Sequence, residues 1–179
     1  NGLLRYVHDG SDSTSDSFQF RVRDINGNTD NVQYTFNIII TPVNDPPVLD
    51  LNGSQPGNDF TATYPVTQPG PTLVAAVDSL SLSISDPDSS QMSTAVIQLL
   101  NAPNGTNESL VIDPTAGGTV SGINAVYSNN NQTITLTGVA SRSDYEKVLR
   151  TLQYRNNLTF PTLGTRQIAI RIFDNGPQN

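Results

Sequence analysis

Ser17-Phe-Gln-Phe-Arg-Val-Arg-Asp24-Ile-Asn-Gly27-Asn-Thr-Asp30-Asn-Val32-Gln-Tyr-Thr-Phe-Asn-Ile-Ile-Ile40 is the stretch that decides the fold. Phe18, Phe20 and Val22 alternate with Gln19, Arg21 and Arg23, the period of a half-buried strand. The alternation resumes at Val32 and becomes fully apolar by Ile40. Between the two runs, Asn26-Gly27 suits the positive φ values of a hairpin turn, so residues 17–41 read as two antiparallel strands. Thr41-Pro42-Val43-Asn44-Asp45-Pro46-Pro47 follows, and its three prolines in six residues forbid a continuing ladder. A module boundary is expected there.

The composition of the whole chain has the same character. Its 179 residues include 14 Asp but only 2 Glu, with 19 Asn, 13 Gly and 12 Pro, which are turn formers rather than helix formers. Short apolar runs from VLDL (48–51) to RQIAIRIF (166–173) are separated by breaks such as QPGP, DPDSS, APNGTNE and SNNNQ. The expected class is all-β, an immunoglobulin-like sandwich. One short helix is expected near residues 143–152, where Ser143 and Glu146 form a capping box and Val148, Leu149 and Leu152 recur at helical spacing.

The ending Gln167-Ile-Ala-Ile-Arg-Ile-Phe-Asp174-Asn-Gly176 repeats the pattern of Phe18 to Gly27: alternating strand, Asp, Asn-Gly turn. On that reading residues 1–42 are the C-terminal part of one module and residues 43–47 a proline-rich linker. Residues 48–179 are a second module lacking its final strand. A two-stranded ribbon is marginal alone, so both ends are expected to need partners.

Leu4-Arg-Tyr-Val-His-Asp-Gly-Ser-Asp, Asp16 to Asp24, and Asn37-Ile-Ile-Ile-Thr-Pro-Val-Asn-Asp-Pro-Pro-Val resemble the end of a chondroitin-sulfate-proteoglycan (CSPG) repeat, a cadherin-like module. Ile134 to Ser141 with Asp144 to Asn156 is similar to the closing half of cadherin-like modules in large adhesins and matrix proteins. The resemblance implies tandem extracellular β-sandwiches, often rigidified by calcium, that serve cell adhesion or matrix structure. It assigns linker ligands to Asn44 and Asp45, an Asp-x-Asp pair to Asp86 and Asp88, and an acidic ligand to Glu146. The chain departs from the family at Thr41-Pro42, where a further acid usually precedes the Asn-Asp pair.

Calcium takes six to eight oxygens from carboxylates, amides and carbonyls, which Asx-rich loops supply. Besides the residues above, Asp9/Asp12/Asp16 and the run Asp24, Asn26, Asn28, Asp30 qualify as clusters. Each candidate also has a plain structural reading. Asp24 to Asp30 reads first as a hairpin turn and only second as a metal site, and it is not an EF-hand, because Thr35 stands where a bidentate Glu is required. Asp86-Pro-Asp88 also reads as a β-turn, Glu146 as a capping partner and Asn44-Asp45 as a cap on the linker.

A formal net charge of -7 argues against a nucleic-acid partner. Zero Cys excludes thiol chemistry and disulfides. His8 is the single histidine, and the acids cluster in turns rather than as paired carboxylates, so an enzyme is not expected. Gly117-Gly118 has no following Lys for a phosphate loop. No stretch approaches a membrane span. Five sequons, at Asn52, Asn104, Asn107, Asn131 and Asn157, are compatible with a secreted glycoprotein.

The expected function is a structural or adhesive module of a long extracellular or cell-surface protein. Its partners are neighbouring modules or copies of the same protein, joined into a filament by strand complementation, and glycans. The alternative is a carbohydrate-binding accessory module of a secreted enzyme, for which Tyr64, Tyr127 and Tyr154 would have to form one exposed coplanar set.

Overall fold

The computed structural model describes residues 3–11, 13–41, 43–66, 72–115 and 122–176, so Asp12, Pro42, Gly117-Gly118 and Asn179 lie outside the described residues. The chain divides into two compact units, one ending at Asn44 and the other running from Asp45 to Gly176.

The first unit is a ribbon of β1 (Ser15–Phe20) and β2 (Tyr34–Ile39), antiparallel, with Phe18 opposite Phe36 and Phe20 opposite Tyr34. Those two ring pairs stack at centroid distances of 5.3 and 5.5 Å. The strands stop earlier than the alternation implies, and beyond Phe20 there is one isolated bridge, Arg23 to Thr29. Between that bridge and the Phe20–Tyr34 pair the register shifts on the second strand, where Asp30 Oδ1 accepts from Val32 N–H (3.0 Å). At the tip, the Asp24 carboxylate accepts the N–H groups of Asn26 (2.9 Å) and Asn28 (2.7 Å), which closes an Asx-bonded turn. Gly27 alone supplies the positive φ there, at 90°; Asn26 does not, so the turn is not the two-residue Asn-Gly type expected.

In the second unit the elements are β3 (Val48–Asp50), β4 (Thr72–Ala75), β5 (Ser83–Ser85), β6 (Gln91–Leu99), β7 (Glu108–Val111), β8 (Asn124–Ser128), β9 (Thr133–Ser141), α1 (Arg142–Leu149), β10 (Gln153–Asn156) and β11 (Ile168–Asp174). Three strands pair in the order β4-β10-β7 and four in the order β11-β6-β9-β8, while β3 and β5 form a two-stranded sheet; every pairing is antiparallel. The fold is thus mostly β, with one short α-helix among the described residues and a single 3-10 turn at Gly105–Asn107. Met92, Ala95 and Ile97 of β6 and Ile134 and Leu136 of β9 share one core with Leu110 of β7 and Tyr154 of β10. This alternation of buried and exposed positions along β6 and β9 is the period-two pattern made physical.

Asn129, Asn130 and Asn131 join β8 to β9 with φ of 48, 54 and 63°. Asparagine tolerates the left-handed region better than other non-glycine residues, which is why a run of three suits this turn.

Helix α1 begins two residues before the expected position. Its N-cap is Ser141, whose Oγ accepts from Asp144 N–H (3.1 Å) and donates to Asp144 Oδ2 (2.8 Å). Two overlapping S-x-x-acid signals compete here, and Ser141-x-x-Asp144 forms the cap, while Glu146, the partner that a Ser143 box would use, accepts instead from Ile84 N–H (2.8 Å). Tyr145 is fully buried, its hydroxyl donates to the Gly138 carbonyl at 2.8 Å, and burial pushes its pKa up to about 12.

A buried ion pair ties β7 to the segment before β11. Arg166 Nη2 and Nε donate to Glu108 Oε1 (2.9 Å) and Oε2 (3.1 Å), and Asn104 N–H adds a third bond to Oε1 (2.8 Å). Glu108 is fully buried, and its carboxylate raises the pKa of Arg166. No helix among the described residues is long and apolar enough to cross a membrane.

Candidate metal centre

Strand β6 starts at Gln91 and runs antiparallel to β11, with Met92 opposite Asp174. The turn just before β6 therefore lies beside the last residue of β11. That turn is Asp86-Pro-Asp88-Ser89. Its geometry is the Asx-turn the residues dictate: Asp86 Oδ1 accepts from Asp88 N–H (3.1 Å) and Ser89 N–H (2.8 Å). On the other strand, Asp174 follows a register shift after Phe173 and its Oδ1 accepts from Gly176 N–H at 3.0 Å. The two devices bring one carboxylate oxygen each from Asp86, Asp88 and Asp174 within 4.8 Å of one another. Among the described residues no other group of three acidic or histidine side chains converges in this way.

Two of the three carboxylates are removed from water, Asp86 at 7% exposed and Asp174 at 3%. Asp86 Oδ2 is buried without any hydrogen-bond partner. Leaving a buried carboxylate oxygen unpaired is expensive. Burial first, and then the neighbouring Asp88, raise the pKa of Asp86. Arg142 reaches the turn, but its Nη1 donates to the Asp86 backbone carbonyl (3.1 Å) and not to the carboxylate. A hard divalent cation satisfies such an oxygen and cancels the repulsion between the acids, so the donor set fits a metal ion coordinated by oxygen.

The other expected ligands are distributed differently. Asp45, first residue of the second unit, donates its N–H to Asp88 Oδ2 at 3.1 Å, which places its backbone at the edge of the acidic group. Asn44 ends the first unit. Glu146 lies on α1 and is engaged structurally: Oε1 accepts from Ile84 N–H (2.8 Å) and Oε2 faces Arg150 Nη2 at 3.5 Å. Asp24 and Asn26 sit in the ribbon turn, where Asp24 Oδ2 also accepts from Asn28 Nδ2 (2.8 Å). Hydrogen bonds from Asn28 lower the Asp24 pKa. Asp174 was absent from the expected ligands. Its signal was in the sequence all the same, as the acid at the end of the repeated strand.

Of the five sequon asparagines, Asn131 and Asn157 are exposed. Asn52 is turned inward, its Nδ2 donating to the Asp59 carbonyl at 2.8 Å. Among the three tyrosines, Tyr154 is buried, and Tyr64 meets it edge-on, at 83°. Tyr127 spends its hydroxyl on the Ile112 carbonyl (2.9 Å), so the three form no single exposed platform.

No protein-family model, curated protein or solved structure matches the chain.

Proposed function

We propose that the chain is a structural or adhesive segment of a long extracellular protein, built of cadherin-like β-sandwich modules in tandem and stiffened by calcium beside the linker. The observation that carries this reading is the buried, unpartnered Oδ2 of Asp86 within the Asp86, Asp88, Asp174 group. The backbone of Asp45 at that group's edge supports it, since a cation there sits at the entry to the second unit. Three carboxylates and nearby carbonyls supply the hard oxygens calcium prefers, and the ion's role is to neutralise and fix these loops rather than to catalyse. On this reading, Asn131 and Asn157 are the sequons presented for glycosylation.

The test is thermal unfolding of the full chain in millimolar calcium and in excess chelator. Calcium raises the midpoint by several degrees, and Asp88→Asn or Asp174→Asn removes most of that rise. Equal midpoints in calcium and chelator would overturn the calcium reading.

A further inference from the structure

The sheet β11-β6-β9-β8 turns one face to the core. Ile170 of β11, Ala95 and Ile97 of β6, Ile134 and Leu136 of β9 and Ala125 of β8 pack inward, so the residues alternating with them face out. The register sets the outward residues in rows across the strands. One row runs Phe173, Thr94, Thr137, Asn124, and the next runs Arg171, Val96, Thr135, Val126. A third holds Gln98, Thr133 and Ser128.

Two features set this face apart. Its rows carry a single charge, Arg171, on a chain whose formal net charge is -7. Its polar side chains are also uncommitted: among the described residues, those of Thr94, Thr135, Thr137, Asn124 and Arg171 make no hydrogen bond or ion pair. Elsewhere in the unit the same residue types are spent inside the fold, as in Asn104 Nδ2 to Thr162 Oγ1 (2.7 Å) and Gln132 Nε2 to the Gly105 carbonyl (2.7 Å). Free hydroxyls and amides both donate and accept, which matches a ligand that is itself a row of hydroxyls. Phe173, 44% exposed, and Val126, 58% exposed, supply apolar ground for the C–H faces of sugar rings.

Charge and size select the occupant. A face with one base offers little to a polyanion, which the rest of this acidic chain repels. Three strand spacings by four residues of rise measure roughly 14 Å by 14 Å. That is well under half of the about 800 Å² per partner that a specific protein interface buries. It does seat a short run of sugars, since one strand spacing of about 4.8 Å is close to the length of one hexose in an extended β-1,4-linked chain.

We infer that this face binds a neutral, extended polysaccharide laid across the strands, with one sugar ring on Phe173 and the following ones hydrogen-bonded by Thr94, Thr137 and Asn124. Thr135 and Val96 floor the neighbouring row, and Arg171 stands beside the ring end. The face is separate from Tyr64 and Tyr154, which meet edge-on at 83°. The inference goes beyond the proposed function and does not rest on the metal.

The test is native electrophoresis of the full chain in gels containing hydroxyethylcellulose, arabinoxylan or galactomannan as neutral probes and heparin as the anionic one. Retardation by at least one neutral probe is expected, stronger than any by heparin. Phe173→Ala and, separately, Thr135→Arg weaken it by about tenfold or more, while Phe160→Ala, an 87% exposed ring outside the sheet, leaves it unchanged. Melting midpoints near the parent's establish that the variants are folded, and Thr135→Arg carries the test if Phe173→Ala is not. Absence of retardation by every neutral probe would overturn the inference, as would equal or stronger retardation by heparin, or retardation that a folded face variant keeps. A dimer in sedimentation that Thr135→Arg dissociates would also overturn it and assign the face to a second copy.

Discussion

Asp86 is a residue whose stability contribution has an unusual sign. Its folded-state pKa is raised, so between the ordinary carboxyl value and the raised one the folded chain holds more protons than the unfolded chain. Without a cation, stability therefore falls as pH rises through that window, opposite to the behaviour of a carboxylate paired in the fold. Asp86→Asn removes the charge and keeps the shape of the turn. In chelator at neutral pH this variant melts higher than the parent, and its midpoint no longer gains from calcium; a lower midpoint in chelator would show that the charge itself supports the fold. Gly138 is constrained in a different way. At φ 128° it lies where L side chains are strained, and a Cβ there would stand 1.7 Å from the Gly122 carbonyl oxygen. Gly138→Ala costs more than about 2 kcal/mol in a denaturant titration, since backbone, not a flexible side chain, blocks the space.

At the scale of elements, α1 shows how a contact from a distant strand bears on two legible signals. Ser141 and Ser143 each precede an acid by three residues. Only the first caps the helix, and the acid that a Ser143 box would use, Glu146, is engaged by the Ile84 N–H instead. Ser141→Ala should cost about 1 kcal/mol by loss of the cap, whereas Ser143→Ala should change stability by less than about 0.5 kcal/mol. Equal losses in urea titrations would contradict the assignment. Glu146 illustrates the same competition: its place was legible as that of an acid near a helix start. That its carboxylate accepts from Ile84 N–H, on β5, follows from chain packing alone.

For the whole molecule, the two units differ in their means of stability. Among the described residues, every member of the buried apolar core lies between Val77 and Tyr154, within the second unit. The ribbon carries its aromatic ladder with Phe20, Tyr34 and Phe36 substantially exposed. Residues 45–176 alone are therefore expected to melt cooperatively with near-parental midpoint, while residues 1–44 alone give no cooperative transition by circular dichroism. A truncated second unit that failed to fold would show that the ribbon supplies part of its stability.

The sequence by itself determined the β class, the hairpin around Asp24, the helix within two residues of its start, and the turn at Asp86-Pro-Asp88. Each of these depends on contacts between near neighbours: side-chain alternation, Asx bonding to the next few N–H groups, capping across three residues. Tertiary structure alone decided which strands neighbour one another, and with that the candidate site. Asp174 stands 86 residues beyond Asp88 and joins it only because β11 lies antiparallel on β6 with its end at the other's beginning. The partner of Glu108, Arg166, was equally illegible, since what selects it is the cost of burying one charge without the other. Local periodicity records which face of a strand is buried, but the pairing of distant strands depends on how the buried faces of the whole chain can be satisfied together.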